Sequence, residues 1–241
     1  MQSCEMPPHN RPIGSHPSTH VCRSPLPWLL TILLVLLGGC IQSPLYPVTL
    51  IPAECPLPVP EELEEGRTIH CGYLQVPQDR SDPSGLQVKL PYAHIRAESA
   101  HPHPDPLVYI VGGPGGSALA EFTEVYGWFR TLRRDRDLIL YDQRGTLLAD
   151  PVLDCELEGP PPTTADIETT SARVPAYLHP LDANDVVVAR CAETLTSQGI
   201  DLAHYDTATH ARDLHDLITA LGYQQVNLYG TSYGTRIALE M

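Results

Sequence analysis

Residues 67–241 read as an α/β fold in which a mostly parallel sheet is flanked by helices. Three observations predict it. Short, continuous apolar runs at 107–111 (LVYIV), 137–141 (DLILY) and 226–229 (VNLY) have the length and composition of strands buried on both faces. Helix-forming stretches separate them, and strands alternating with helices argue a parallel sheet. Each run passes into a turn rich in Gly or Asp, so candidate chemistry gathers at strand ends.

The first 66 residues belong to a different class. The chain has 241 residues, 15 Lys and Arg against 29 Asp and Glu, a net charge of −14 and 25 prolines. Arg11 and Arg23 are balanced by Glu5 and Glu54, so the acidity lies in residues 61–241. An acidic chain repels phosphate backbones, which disfavours a general nucleic-acid binder. Residues 26–37 (LPWLLTILLVLL) are uncharged and apolar. They are too short for the roughly 20 residues of a spanning helix, but suit the apolar stretch of a secretory signal. Leu37-Gly38-Gly39-Cys40 resembles the lipobox of bacterial lipoproteins. That resemblance implies cleavage before Cys40, acylation of its thiol and a membrane anchor on the extracytoplasmic side, periplasmic or cell-surface. Residues 1–39 are then a lipoprotein-type signal peptide, and the Pro- and Glu-rich residues 40–66 a tether.

Of seven cysteines, cleavage would remove Cys4 and Cys22 and lipidation would use Cys40. Cys55, Cys71, Cys155 and Cys191 remain, with three pairings open to them. Proximity along the chain favours Cys55–Cys71 and Cys155–Cys191, which an oxidising compartment would permit. No Cys or His spacing resembles a metal site, and neither a metal nor a cofactor is implied.

Along the domain, residues 67–76 (RTIHCGYLQV) and 86–95 (LQVKLPYAHI) are β-rich and separated by a turn-rich stretch, which predicts a hairpin. Pro91 lacks a ladder donor and predicts an edge position. Residues 118–134 predict a connecting helix. Residues 151–203 interrupt the alternation and read as an excursion over the sheet. Residues 207–221 carry Ala208, Ala211, Leu214, Leu217, Ile218 and Leu221 at helical spacing, with Thr207 as cap and Gly222 as stop. A buried strand follows, then a helix from 235 to 241.

Two motifs carry chemistry. Gly230-Thr231-Ser232-Tyr233-Gly234 stands between a strand and a helix, the setting of a G-x-S-x-G nucleophile elbow. Ser232 is the candidate nucleophile, and flanking Gly230 and Gly234 let neighbouring backbone pass without a Cβ clash. Gly112-Gly113-Pro114-Gly115-Gly116 follows the strand ending at Val111. An oxyanion hole needs one donor from the elbow and one from such a loop. Tyr233 supplies the first through its N–H. Pro114 has none, so Gly113 is the choice for the second, with Gly112 next and Gly115 shaping the turn.

With Asp142-Gln143-Arg144-Gly145-Thr146 between them, these motifs resemble the α/β-hydrolase family of prolyl and tripeptidyl aminopeptidases, and most of all its secreted, tripeptidyl-aminopeptidase-like branch. The resemblance runs from about Cys71 to the last residue and takes in residues 211–214 (ARDL) and 221–223 (LGY). It implies an α/β-hydrolase fold, a Ser232 acyl-enzyme, an oxyanion hole of Gly113 and Tyr233, and paired cysteines near the first strands and in the excursion. Asp142 and Arg144 would order the loop at the rim of the site as a structural ion pair. Val111 replaces a His frequent before GGPG, and Leu147-Leu148 replaces a Gly common after DQRGT.

A serine nucleophile needs a base, itself oriented by a carboxylate, and in this fold both follow the serine. The nine residues after Ser232 contain no His, and the only Lys is Lys89. The chain therefore reads as the front portion of a hydrolase domain, C-terminally truncated within the elbow helix and inactive alone. The function expected of its parent is an exported serine hydrolase that releases residues or short peptides from peptide amino termini. An esterase acting on small acyl esters, and a non-catalytic hydrolase-like surface lipoprotein, are the alternatives.

Overall fold

The computed structural model describes residues 46–155, 161–175 and 180–241. The signal segment 1–39, Cys40 and the first residues of the expected tether lie outside the described residues, as do two short pieces of the excursion.

Six strands form one sheet in the order β1-β2-β3-β5-β4-β6. They are β1 (Thr49–Ala53), β2 (Ile69–Pro77), β3 (Gln87–Ile95), β4 (Leu107–Ile110), β5 (Leu138–Tyr141) and β6 (Asn227–Gly230). The sheet is mixed. β5, β4 and β6 run parallel, whereas β1, β2, β3 and β5 are joined by antiparallel ladders. The hairpin is present, with Tyr73 opposite Pro91. Part of the expected tether is sheet, because Thr49–Ala53 pairs with β2 as an edge strand.

Pro91 is not at an edge: β3 lies between β2 and β5. Its register shows why proline is tolerated there. The β3–β5 ladder ends at Tyr92 opposite Tyr141, and the Pro91 carbonyl accepts from Asp142 N–H at 3.0 Å as β5 gives way to loop. The missing donor falls where pairing stops anyway.

The alternating pleat of each strand feeds two cores. On one face Ile69, Ile95, Tyr109 and Leu140 pack against Phe122, Val125 and Phe129 of α1 (Phe122–Phe129). On the other, Leu90, Val108, Ile110 and Ile139 meet Leu214, Leu217 and Ile218 of α4 (Thr207–Ala220) and Ile237 of α5 (Gly234–Glu240). α1 is shorter than expected, since the stretch before it is a turn whose Leu119 N–H is taken by Asp142. The cap of α4 is Asp206, not Thr207: its carboxylate accepts from Thr209 N–H at 2.7 Å. Gly222 ends that helix at φ +88°, a conformation glycine adopts without a Cβ penalty. β6, expected to be buried, is half exposed, with β4 its one partner among the described strands.

The excursion holds α2 (Thr164–Ser171) and α3 (Ala183–Ser197), each opened by a capping box, Thr163 with Asp166 and Asp182 with Asp185. Disulfides join Cys55 to Cys71 and Cys155 to Cys191. Among the described residues no helix is long and apolar enough to cross a membrane.

Candidate active site

The elbow begins as an extension of the β4–β6 ladder. Thr231 N–H donates to the Ile110 carbonyl at 3.0 Å, and the chain then reverses. Ser232 takes φ +51°, the one positive value at a non-glycine residue among the described positions. A left-handed residue with a Cβ is strained by roughly 1–2 kcal/mol, so the surroundings must hold it. They do so with bonds on both sides of the turn. Gly234 N–H donates to Thr231 O at 2.8 Å, while the Ser232 carbonyl accepts from Thr235 N–H at 3.0 Å and Thr235 Oγ1 at 2.6 Å. Ser232 itself is exposed.

Both flanking glycines are required by contact. A Cβ on Gly230 would lie 2.7 Å from the Gly234 carbonyl group, and one on Gly234 would run into the Ile110 carbonyl. Neither obstacle is a movable side-chain tip, so α5 can cross β4 this closely only without those carbons. Tyr233 flanks the start of α5, where N–H groups lack an intrahelical acceptor. Its hydroxyl shares a 2.9 Å hydrogen bond with Thr207 Oγ1 on α4.

The glycine loop after β4 meets this elbow. A Cβ on Gly112 would sit 2.8 Å from Ser232 Cβ and 3.5 Å from Ser232 Oγ. Gly113 and Gly115 adopt φ of +115° and +96°, and Gly116 N–H closes the turn on the Gly112 carbonyl at 3.2 Å. The fold thus brings two motifs more than a hundred residues apart in sequence into van der Waals contact around one hydroxyl.

The Asp142-Gln143-Arg144 segment is placed differently from the expectation. All three side chains are buried rather than at a rim, and Asp142 does not pair with Arg144. Ser117 Oγ donates to Asp142 at 2.6 Å and Leu119 N–H at 3.1 Å. Burial pushes the Asp142 carboxyl up to about 6, against the opposing pull of those hydrogen bonds. Gln143 Nε2 donates to the Val111 carbonyl at 2.9 Å.

Arg144 instead forks onto Asp213 of α4, with Nε and Nη2 at 2.6 and 2.9 Å, and also donates to the carbonyls of Gln78 and His204. Arg80 bridges Asp213 and Asp216 at 2.6 and 2.8 Å, and Tyr46 donates to Asp216. The correction has an electrostatic basis. A fully buried guanidinium needs a carboxylate in bidentate reach, and Asp213 on the neighbouring helix supplies it. Sequence reasoning missed Arg80, Asp216 and Ser117 because each is a lone polar residue with no motif around it.

His210 of α4 packs edge-on to Tyr233 with ring centroids 6.3 Å apart, and burial lowers its affinity for a proton. His94 is engaged elsewhere, 3.0 Å from Asp137 and 2.8 Å from the Tyr223 hydroxyl. No cluster of His, Cys, Asp or Glu suited to a metal occurs among the described residues.

A model of the alpha/beta hydrolase fold matches residues 105–241, from the start of β4 through the elbow helix. The chain belongs to the alpha/beta hydrolase family. Within this family it is 29% identical over 174 residues to a tripeptidyl aminopeptidase of Streptomyces lividans, covering 70% of this chain and 32% of that protein. It is 30% identical over 171 residues to serine protease Hip1 of Mycobacterium bovis, covering 69% and 32%. This chain thus spans about a third of the length of the curated relatives it matches. Among solved structures, a proline iminopeptidase from Mycobacterium smegmatis aligns at 17% identity and TM-score 0.40, covering 70% of this chain and 38% of that one.

Proposed function

We propose that the protein is an exported serine hydrolase that cleaves peptides from the amino end through a Ser232 acyl-enzyme. The observation that carries the reading is the elbow itself: an exposed serine held at φ +51° with the Gly112 backbone pressed against it. Strain of this kind persists where a side chain must be presented. Ser232 Oγ would attack the scissile carbonyl while the N–H groups of Gly113 and Tyr233 donate to the developing oxyanion. Collapse of the tetrahedral intermediate expels the amine, and water then releases the acyl group. The relatives named as a tripeptidyl aminopeptidase and a serine protease favour peptides over small esters as substrates.

Proton transfer needs a base that these motifs do not contain. The nine residues after Ser232 include no His, His94 is engaged with Asp137 and Tyr223, and His210 is buried edge-on against the Tyr233 ring. The whole protein should label at Ser232 with a fluorophosphonate, and Ser232→Ala should abolish the adduct. A folded protein that acquires no adduct there overturns the reading. Tripeptidyl and aminoacyl anilides compared with short acyl esters then decide peptidase against esterase.

Export rests on the apolar segment before Cys40 and is consistent with two disulfides, which persist in oxidising compartments. Incorporation of an alkyne fatty acid that is lost in Cys40→Ser is the expected result. Unlabelled protein in the cytosol would exclude the anchor.

A further inference from the structure

The glycine loop between β4 and α1 poses a mechanical problem. Residues 112–116 are four glycines and a proline, with one hydrogen bond inside the turn, from Gly116 N–H to the Gly112 carbonyl at 3.2 Å. Glycine loses more conformational freedom on ordering than any other residue. An oxyanion donor works only if it is already aimed when charge develops. Something outside the loop must hold it.

We propose that Asp142 and Gln143 are positioning residues that clamp the oxyanion loop at its two ends, an inference that rests on the reading of Ser232 and Gly113 above. Gln143 grips the entry. Its Nε2 donates to the carbonyl of Val111, the residue before Gly112, at 2.9 Å. Asp142 grips the exit. Its carboxylate accepts from Ser117 Oγ at 2.6 Å and Leu119 N–H at 3.1 Å, and Ser117 Oγ in turn accepts from Ala120 N–H at 2.9 Å. The two grips come from consecutive residues, so the distance between the loop's ends is set by one short piece of backbone. That piece is anchored on its far side by Arg144, which is locked to Asp213 of α4.

Two features argue that the clamp serves the loop rather than general stability. Gln143 is buried, yet its Oε1 has no partner among the described residues. An unsatisfied buried carbonyl is destabilising, and an apolar residue of similar shape would not incur that cost. Asp142 is fully buried and among the described residues has no cationic partner, its carboxylate there being held by hydroxyl and backbone donors of the loop's exit. Both residues therefore carry an energetic penalty, and what each contributes in return is a bond to residues that flank the glycine loop, Val111 before it and Ser117 and Leu119 after it.

The test measures amide hydrogen exchange in the full protein over residues 112–119, with the β2–β3 hairpin as internal reference, for wild type, Asp142→Leu, Gln143→Met, Ser117→Ala and Asp142→Asn. Exchange over 112–119 should rise at least tenfold in Asp142→Leu and Gln143→Met while the hairpin stays protected. Ser117→Ala should give a smaller rise. Asp142→Asn keeps an acceptor for Leu119 N–H and should restore most of the protection. Fluorophosphonate labelling of Ser232 should slow in the same order and recover in Asp142→Asn, which a merely structural role would not produce. Wild-type exchange over 112–119 in folded Gln143→Met and Ser117→Ala overturns the clamp, even if Asp142→Leu fails to fold. The two readings separate cleanly. Wild type that never labels removes the serine hydrolase, while loop exchange still decides the clamp.

Discussion

At Arg144 and Asp213 two charges are removed from water, with side-chain exposures of 0% and 1%. Desolvating an isolated charge is far more costly than any surface pair can return, so each depends on the other. Asp213 is the more critical of the two because Arg80 also leans on it, at 2.6 Å. Asp213→Ala would leave Arg144 buried without a counter-charge, and the expected loss is roughly 3–5 kcal/mol of stability. Urea unfolding would measure it; a loss below about 1 kcal/mol would mean the pair is solvated in solution. Exposed Arg173 and Glu193 form the contrasting case, and Glu193→Ala should change stability by less than about 1 kcal/mol.

At the scale of elements, the two disulfides act on different parts of the molecule. Cys55–Cys71 closes a separation of 16 residues and fixes the chain leaving β1 against β2, within the sheet. Cys155–Cys191 closes 36 residues and ties α3 to the segment that leaves the Asp142-Gln143-Arg144 loop. Loop-closure arguments give roughly 3 and 4 kcal/mol respectively. Removing the second pair, Cys155→Ala with Cys191→Ala, should free α2 and α3, which pack on each other. Limited proteolysis is expected to cut within the excursion while the fragment bearing β1 to β5 stays intact. Global unfolding at once, with no protected sheet fragment, would show that the excursion is integral to the core.

Over the whole molecule, two buried carboxylates push stability in opposite directions with pH. Asp137 is held below the ordinary carboxylate range by hydrogen bonds from His94, Tyr223 and Ala97 N–H that outweigh its burial. It contributes stability above its unfolded value of 3.8, which is lost as pH falls through its depressed folded value. Asp142 is raised by burial to about 6, so the folded state keeps its proton after the unfolded chain has lost it. Its contribution therefore declines as pH rises from 3.8 to about 6 and is level above that. Asp142→Asn should gain stability relative to wild type across that window, by at most roughly 1.4 kcal/mol per pH unit. Urea midpoints at pH 4, 5, 6 and 7 would show it. A difference that does not change with pH would mean that Asp142 titrates normally.

Much of this was legible in one dimension for local reasons. A strand buried on both faces must be a short apolar run, and LVYIV and DLILY are such runs. A turn that crosses a neighbouring strand at backbone contact must be glycine, and Gly230 and Gly234 mark it. Local chemistry could not show the long-range pairings. The family resemblance implied that Asp142 and Arg144 order the rim as a structural ion pair. Tertiary structure gave Arg144 to Asp213, 69 residues away, and Asp142 to Ser117, 25 residues away, because both lie in the loop after β5, where each side chain meets whatever element the fold packs beside it. Strand order is likewise non-local, which is why Pro91 read as an edge residue and Thr49–Ala53 as a tether. Local steric and apolar patterning determined which segments become strands, helices and turns. Only packing decided which polar group meets which, since a buried charge takes the partner the fold brings to it.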